Sequence, residues 1–100
     1  MSFEIDKYRN KISSVCSLYN VNKLYIFGSA ITDEYNYKSD VDLLVDFKNI
    51  NINNYADNYY DFKIELQKIF NRKIDLLEIQ AIKNPYFKSE IEQTKRLIYG

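Results

Sequence analysis

The run Val41–Phe47 constrains the fold more than any other part of the sequence. One set of alternate positions is entirely apolar and the other carries two acids: Val41, Leu43, Val45 and Phe47 against Asp42, Leu44 and Asp46. Because successive side chains of a strand point to opposite faces, this alternation predicts a strand with one apolar face and one face bearing carboxylates. The chain is therefore expected to fold around a small sheet.

The remaining elements are predicted from apolar spacing and turn residues. Apolar residues three and four positions apart predict helices over 5–19 and 55–69. Short apolar runs predict strands at 24–27 and 74–79. A last helix is predicted to begin at Asn84 and Pro85, and its apolar stripe consists of Phe87, Ile91, Thr94 and Ile98. The order helix, strand, strand, helix, strand, helix indicates an α/β (α+β) fold, a small sheet with helices packed on it.

Length and charge exclude several classes of protein. A chain of 100 residues is expected to form a single domain, residues 1–100. Fourteen basic residues balance fourteen acidic ones, so direct nucleic-acid binding is not expected. No apolar run approaches the ~18 residues of a membrane span, and the N-terminus lacks the layout of a signal peptide. Cys16 is a single cysteine and has no internal disulfide partner. A cytoplasmic location is therefore expected, without membrane contact.

The absence of histidine restricts the chemistry further. Histidine-based catalytic triads, histidine general bases and zinc sites with imidazole ligands are all excluded. Catalysis by this chain would have to use carboxylates, hydroxyls, amines or a hard metal ion.

Two carboxylates stand at the start of the second strand. Asp40 and Asp42 are two residues apart, so their side chains leave the same face of the strand. Carboxylates this close repel each other unless a cation lies between them, and Mg²⁺ prefers such oxygen ligands together with substrate phosphates. A pair of these ions can hold the attacking and leaving oxygens in nucleotidyl transfer. The alternative is a solvated acidic strand end.

Two further features add to this pair. Gly28 and Ser29 directly follow a strand, where glycine allows close backbone approach and a serine hydroxyl can hold phosphate oxygens; the alternative is an ordinary turn with Ser29 as N-cap. Asp75 lies among apolar residues of the third strand, where a carboxylate is costly unless it is paired, hydrogen-bonded or metal-bound. Its alternative is an edge-strand position with the side chain in water.

Tyrosines of the second predicted long helix carry a weaker functional signal. Tyr55, Tyr59 and Tyr60 fit a base-stacking platform or, from their helical spacing, core or partner-facing packing.

The combination of Gly28-Ser29, a ten-residue gap, Asp40-x-Asp42 and the later Asp75 resembles the DNA polymerase β nucleotidyltransferase superfamily. The run 39–45 and the short length are similar to its minimal nucleotidyltransferase (MNT) branch, and residues 84–99 are similar to that branch's closing helix. The resemblance implies a mixed, palm-like αβ core. It also implies that Asp40, Asp42 and Asp75 are catalytic and bind two Mg²⁺ ions, while Gly28 and Ser29 hold ATP.

The resemblance further implies a partner and a substrate. Many MNT proteins are antitoxins of a type VII-like kind, paired with a HEPN-domain ribonuclease toxin, and characterised pairs suggest transfer of AMP from ATP to a toxin tyrosine. Two alternatives are an antitoxin that neutralises its toxin by binding alone and transfer of a nucleotide to a small molecule. One departure bears on catalysis: where the family commonly has Ala-Arg-Gly after Gly-Ser, this chain has Ile31-Thr32-Asp33. A cation near the triphosphate is lost there.

Overall fold

The structure, a computed structural model, describes residues 5–28 and 41–100. A 3₁₀ turn at Ile5–Tyr8 leads into the first helix. The helices are α1 (Arg9–Leu18), α2 (Ile52–Phe70) and α3 (Pro85–Thr94), and the strands are β1 (Val21–Phe27), β2 (Val41–Phe47), β3 (Ile74–Glu78) and β4 (Arg96–Tyr99). A second 3₁₀ turn, Ile79–Ala81, connects β3 to the segment before α3. No helix in the described ranges is long and apolar enough to cross a membrane.

The four strands form one mixed sheet in the order β3-β2-β1-β4. β1 pairs antiparallel with both β2 and β4, whereas β2 and β3 are parallel. Parallel neighbours require a crossover connection, and α2 provides it. As a result, the end of β1 lies beside the beginnings of β2 and β3 at one end of the sheet. The α+β class predicted from the sequence is confirmed.

Helices α1 and α2 cover one face of the sheet, here called the α1–α2 face. Phe62 and Leu66 of α2 and Ile12 of α1 are fully buried there. From the sheet, alternate β2 residues Val41, Leu43 and Val45 point into the same cluster. The alternation predicted for 41–47 therefore holds, and its apolar side faces the larger core.

The opposite face, here called the α3 face, has a smaller core. Phe27, Leu44 and Ile91 are buried together on it. At the C-terminal end of α3, the Lys95 ammonium lies 4.3 Å from the centre of the Tyr25 ring and 2.8 Å from Glu92. The contact with Tyr25 holds the end of α3 against β1 on this face, while the contact with Glu92 fixes the Lys95 side chain.

The end of the chain differs from the prediction. Asn84 caps α3 as expected, because its side chain accepts hydrogen bonds from the amides of Tyr86 and Phe87. The helix nevertheless ends at Thr94, Lys95 is extended, and residues 96–99 form β4 instead of continuing the closing helix. The reason is the open edge of β1, which offers backbone hydrogen-bonding groups. Pairing there places Ile98 in the α1–α2 core.

Candidate active site

Two carboxylates stand side by side on the α3 face, where β2 and β3 begin. Asp42 and Asp75 are register partners in the parallel β2–β3 pair, so their side chains leave the same face of the sheet. Neighbouring strands lie ~4.8 Å apart. Asp42 is half-buried and Asp75 is exposed. Residues 33 positions apart in the sequence are thus brought together at one end of the sheet.

Gly28, directly after β1, lies next to Asp42 and completes this row of residues across the sheet. It follows Phe27, which pairs with Asp42, and its φ of +75° lies in the left-handed region that favours glycine. A Cβ added to Gly28 would overlap Oδ2 of Asp42. Glycine at this position therefore leaves room for the Asp42 carboxylate, and any larger residue would have to displace it.

Three of the five predicted site residues lie within the described part of the chain, and the structure brings them together: Gly28, Asp42 and Asp75. Ser29 and Asp40 lie outside the described residues, as does Thr32 at the departure from the family pattern. Of the two interpretations of Asp75, the structure shows the edge-strand position with the side chain in water. Asp75 is exposed on the edge strand, and its register with Asp42 is what connects it to the site.

The donor set fits a hard divalent cation. Carboxylate oxygens are the ligands that Mg²⁺ prefers, and it commonly takes one or two of them together with phosphate oxygens and water. Asp42 and Asp75 supply two carboxylates at neighbouring positions. Two negative charges this close also favour a cation between them over an empty site.

Side chains of α2 hold the outer edge of β3 on both sides of Asp75. The Tyr59 hydroxyl donates a hydrogen bond to the Leu76 carbonyl, and the side-chain oxygen of Gln67 accepts one from the Ile74 amide at 3.3 Å. β3 is an edge strand, so these backbone groups have no strand partner on that side. The helix thereby fixes the backbone that carries Asp75, a role that the sequence pattern did not reveal for either residue.

Tyr55 and Tyr59 of α2 are part of the packing, whereas Tyr60, the third tyrosine of the helix, is exposed. Tyr59 packs against the α1–α2 core, and Tyr55 stacks edge-on against Phe47 with ring centres 5.8 Å apart. Burial, followed by a hydrogen bond to Glu78 and its negative charge, raises the pKa of Tyr55. Burial and then the Glu78 charge likewise raise the pKa of Tyr59. Both hydroxyls therefore stay protonated at neutral pH and act as donors.

A cavity of about 220 Å³ opens on the α3 face around the end of β3 and the start of α3. Leu77, Ala81, Ile82, Lys83 and Phe87 contribute to its wall. Leu77 is two residues after Asp75 on β3 and so points to the same face. The Phe87 ring packs edge-on against Phe27, with centres 6.4 Å apart. The 3₁₀ turn and the start of α3 create this cavity, which no sequence pattern indicated.

A strand-based acidic pair beside a glycine turn, on a mixed sheet, is the arrangement expected of a nucleotidyltransferase. The family model "Polymerase beta, Nucleotidyltransferase" matches residues 10–100. The chain therefore belongs to the polymerase beta nucleotidyltransferase family, and the family predicted from its motifs is confirmed.

Two curated relatives come from Methanocaldococcus jannaschii. "Putative protein adenylyltransferase MJ1379" is 36% identical over 81 residues, and "Putative protein adenylyltransferase MJ0128" is 40% identical over 83 residues. Each alignment covers 81% of this chain and 78% of the relative. The similarity thus extends over most of both proteins.

Solved structures with low sequence identity share the fold. "Structure of putative minimal nucleotidyltransferase" has a TM-score of 0.75 at 20% identity and covers 91% of this chain and 89% of its own. A toxin–antitoxin structure with AMP-PNP has a TM-score of 0.70 at 17% identity, with coverages of 92% and 73%. A complex of a tri-AMPylated Shewanella oneidensis HEPN toxin with an MNT antitoxin has a TM-score of 0.66 at 16% identity, with coverages of 97% and 73%.

Proposed function

We propose that the protein transfers AMP from ATP, in a Mg²⁺-dependent reaction in the cytoplasm, to a tyrosine of a HEPN-domain toxin and thereby acts as its antitoxin. The observation that carries this proposal is the register of Asp42 with Asp75, with Gly28 beside them. Two curated relatives bear the name protein adenylyltransferase. Structures of the same fold include a complex with AMP-PNP and one with an AMPylated HEPN toxin.

Each site residue has a distinct role in this proposal. Asp42 and Asp75, together with Asp40, would hold two Mg²⁺ ions, which supply charge stabilisation to the phosphates. Gly28 keeps the backbone close to the Asp42 carboxylate and, with Ser29, would hold the triphosphate. Asp75, the exposed member of the pair, would accept the proton of the acceptor hydroxyl.

One sequence feature favours a second function, neutralisation of the toxin by binding alone. Thr32 stands where the family commonly has arginine, so a positive charge near the triphosphate is lacking. An antitoxin that had lost catalysis would retain the fold and the partner surface. Measuring both modification and binding of the toxin separates the two functions.

The first experiment replaces Asp75 by asparagine, which is nearly isosteric and uncharged. AMP transfer from labelled ATP to a co-encoded HEPN protein is followed by intact mass, beside a pull-down of the same pair. We expect the parent to add AMP, and Asp75→Asn to slow the transfer by roughly 100-fold or more while still capturing the partner. Calorimetry should also show ATP binding with Mg²⁺ and little with a chelator.

The surface-exposed Tyr86 provides the matched control, since Tyr86→Phe changes an exposed side chain of α3 and should leave transfer unchanged. Transfer by Asp75→Asn at the parent's rate would show that Asp75 is not catalytic. A parent that adds no mass but still blocks the toxin would establish the binding antitoxin instead.

A further inference from the structure

The cavity at the end of β3 has a definite position relative to the acidic pair. Across the sheet, the row of site residues runs from Asp75 on β3 through Asp42 on β2 to Gly28 at the end of β1. The cavity contacts Leu77 on β3 and the 3₁₀ turn that follows it. Most of the lining belongs to β3 and the segment that follows it, although Phe87 of α3 also packs against Phe27 next to Gly28. The cavity therefore lies mainly on the β3 side of the carboxylates.

The in-line geometry of nucleotidyl transfer indicates which substrate would approach from this side of the carboxylates. The acceptor oxygen forms a bond to the α-phosphorus while the bond from that phosphorus to the bridging oxygen breaks and pyrophosphate leaves. Attacking and leaving oxygens lie roughly in line on opposite sides of phosphorus. With the triphosphate at Gly28 and the α-phosphorus beside the carboxylates, the acceptor must approach from the β3 side.

We propose that this cavity, lined by Leu77, Ala81, Ile82 and Phe87 together with the polar residues Glu78, Lys83 and Asn84, receives the aromatic ring of the acceptor tyrosine and presents its hydroxyl to Asp75. This inference rests on the proposed function and adds the location and chemistry of the acceptor site. The hydroxyl proton passes to the Asp75 carboxylate as the new oxygen–phosphorus bond forms.

The size and lining of the cavity suit a single ring. Its volume of about 220 Å³ is below the ~300–1,000 Å³ typical of pockets that enclose a whole small-molecule ligand. Leu77, Ile82 and Phe87 provide apolar and aromatic contacts, and aromatic rings prefer edge-to-face or offset neighbours. A serine or threonine acceptor would leave most of this apolar wall uncovered, so the cavity selects tyrosine.

The experiment fills the cavity with a larger side chain and leaves the other lining residues in place. Ala81 is exposed in the 3₁₀ turn and lines the cavity, so Ala81→Phe should occupy the space while leaving the fold intact. The probe is N-acetyltyrosinamide, added to the protein with Mg²⁺ and AMP-PNP and followed by amide NMR. N-acetylserinamide is the comparison probe, and Tyr86→Ala is the matched control because Tyr86 adjoins Phe87 but is 86% exposed.

In the parent, the tyrosine probe should shift the amides of Leu77, Ile82 and Phe87 in a saturable way, whereas the serine probe should not. Ala81→Phe should weaken tyrosine-probe binding by about 10-fold or more and leave AMP-PNP affinity within about twofold. Tyr86→Ala should match the parent. Phe87→Leu, which keeps an apolar wall but removes the ring, should give an intermediate loss.

Two results would overturn the inference. Equal shifts from the serine and tyrosine probes, or none from either, would show that the cavity does not select an aromatic acceptor. Loss of AMP-PNP affinity in Ala81→Phe, with shifts at Leu77 and Ile82 caused by AMP alone, would assign the cavity to the nucleobase. Failure of the proposed function is seen separately, as absent Mg²⁺-dependent AMP-PNP binding in the parent.

Discussion

The two faces of the sheet differ in what they bury. Among the described residues, the α1–α2 face buries fourteen residues in one cluster and the α3 face buries three. The α3 face also carries Asp42, Asp75 and the cavity. Strand alternation allows this division, because each strand can contribute apolar side chains to one face and carboxylates to the other.

The larger core and the acidic pair thus lie on opposite sides of the same strands. A carboxylate on the α1–α2 face would be desolvated in the core, whereas Asp75 on the α3 face remains in contact with water. The Asp75 carboxylate therefore needs little stabilisation from neighbouring protein groups. The same arrangement predicts that substitutions on the two faces affect different properties.

The largest expected effect comes from truncating the α1–α2 core. Phe62 is fully buried and its ring packs against Tyr19 and Phe47 with centres 6.0 and 5.8 Å away. Phe62→Ala should lower the free energy of unfolding by about 3–5 kcal/mol, through lost burial and a residual cavity. Ile91→Ala, its counterpart on the α3 face, should lower it by about 2 kcal/mol because the surrounding cluster is smaller. Urea unfolding measures both, and equal losses would refute the division between the faces.

A second prediction concerns alkaline pH and the same core. Burial raises the pKa of the Cys16 thiol from 9.0 to about 12. Since the folded state disfavours the thiolate, this contribution to stability is complete below pH 9 and is lost as pH rises toward 12. The free energy of unfolding should therefore fall above pH 9 by up to ~1.4 kcal/mol per pH unit for this one group.

The control variant for the pH prediction is Cys16→Ala. It should be less stable than the parent at pH 7, but its stability should stay flat between pH 9 and 10, where the parent's declines. Above pH 10 both should decline, because the pKa values of Tyr55 and Tyr59 are also raised. A parent whose stability falls no more than that of Cys16→Ala between pH 9 and 10 would show that the thiol ionises as freely in the folded state as in the unfolded chain.

The smallest effect on stability tests the link between the faces. Tyr59→Phe removes the hydrogen bond to the Leu76 carbonyl and should cost about 1 kcal/mol. Because that bond fixes the backbone next to Asp75, Mg²⁺-dependent ATP binding should also weaken by roughly 10-fold. Tyr55→Phe is the matched control, since it removes a tyrosine hydrogen bond from the same helix to the Glu78 side chain. Equal ATP affinity in the two variants would reduce Tyr59 to a purely structural residue.

Local pattern predicted most of the elements. The strand at Val41–Phe47 has the predicted bounds and the predicted faces, because period-two alternation is carried by adjacent residues. β1 begins at Val21 instead of Leu24, and α2 extends from Ile52 to Phe70. Ile98 was misassigned because its spacing from Ile91 also fits a helix. What decided its position was the open edge of β1, a feature of the assembled sheet.

The site was predictable in its residue types but not in its arrangement. Asp75 was identified from its strand, yet its partnership with Asp42 depends on the β2–β3 register across α2. Gly28 was expected to allow close approach of a ligand, and the group that lies nearest to its missing side chain is the Asp42 carboxylate. The roles of Tyr59 and Gln67 depend on which backbone groups an edge strand leaves open, and no short motif encodes that.

The pairing of β4 with β1 has a consequence for synthesis of the chain. Leu24 and Tyr99, which are register partners, are translated far apart, so the outer edge of β1 emerges from the ribosome long before the strand that covers it. An uncovered strand edge is a template for pairing with other chains. A nascent chain halted before Arg96 would also leave the place of Ile98 in the core empty. Pairing of β4 with β1 therefore covers this site of association in the newly made protein.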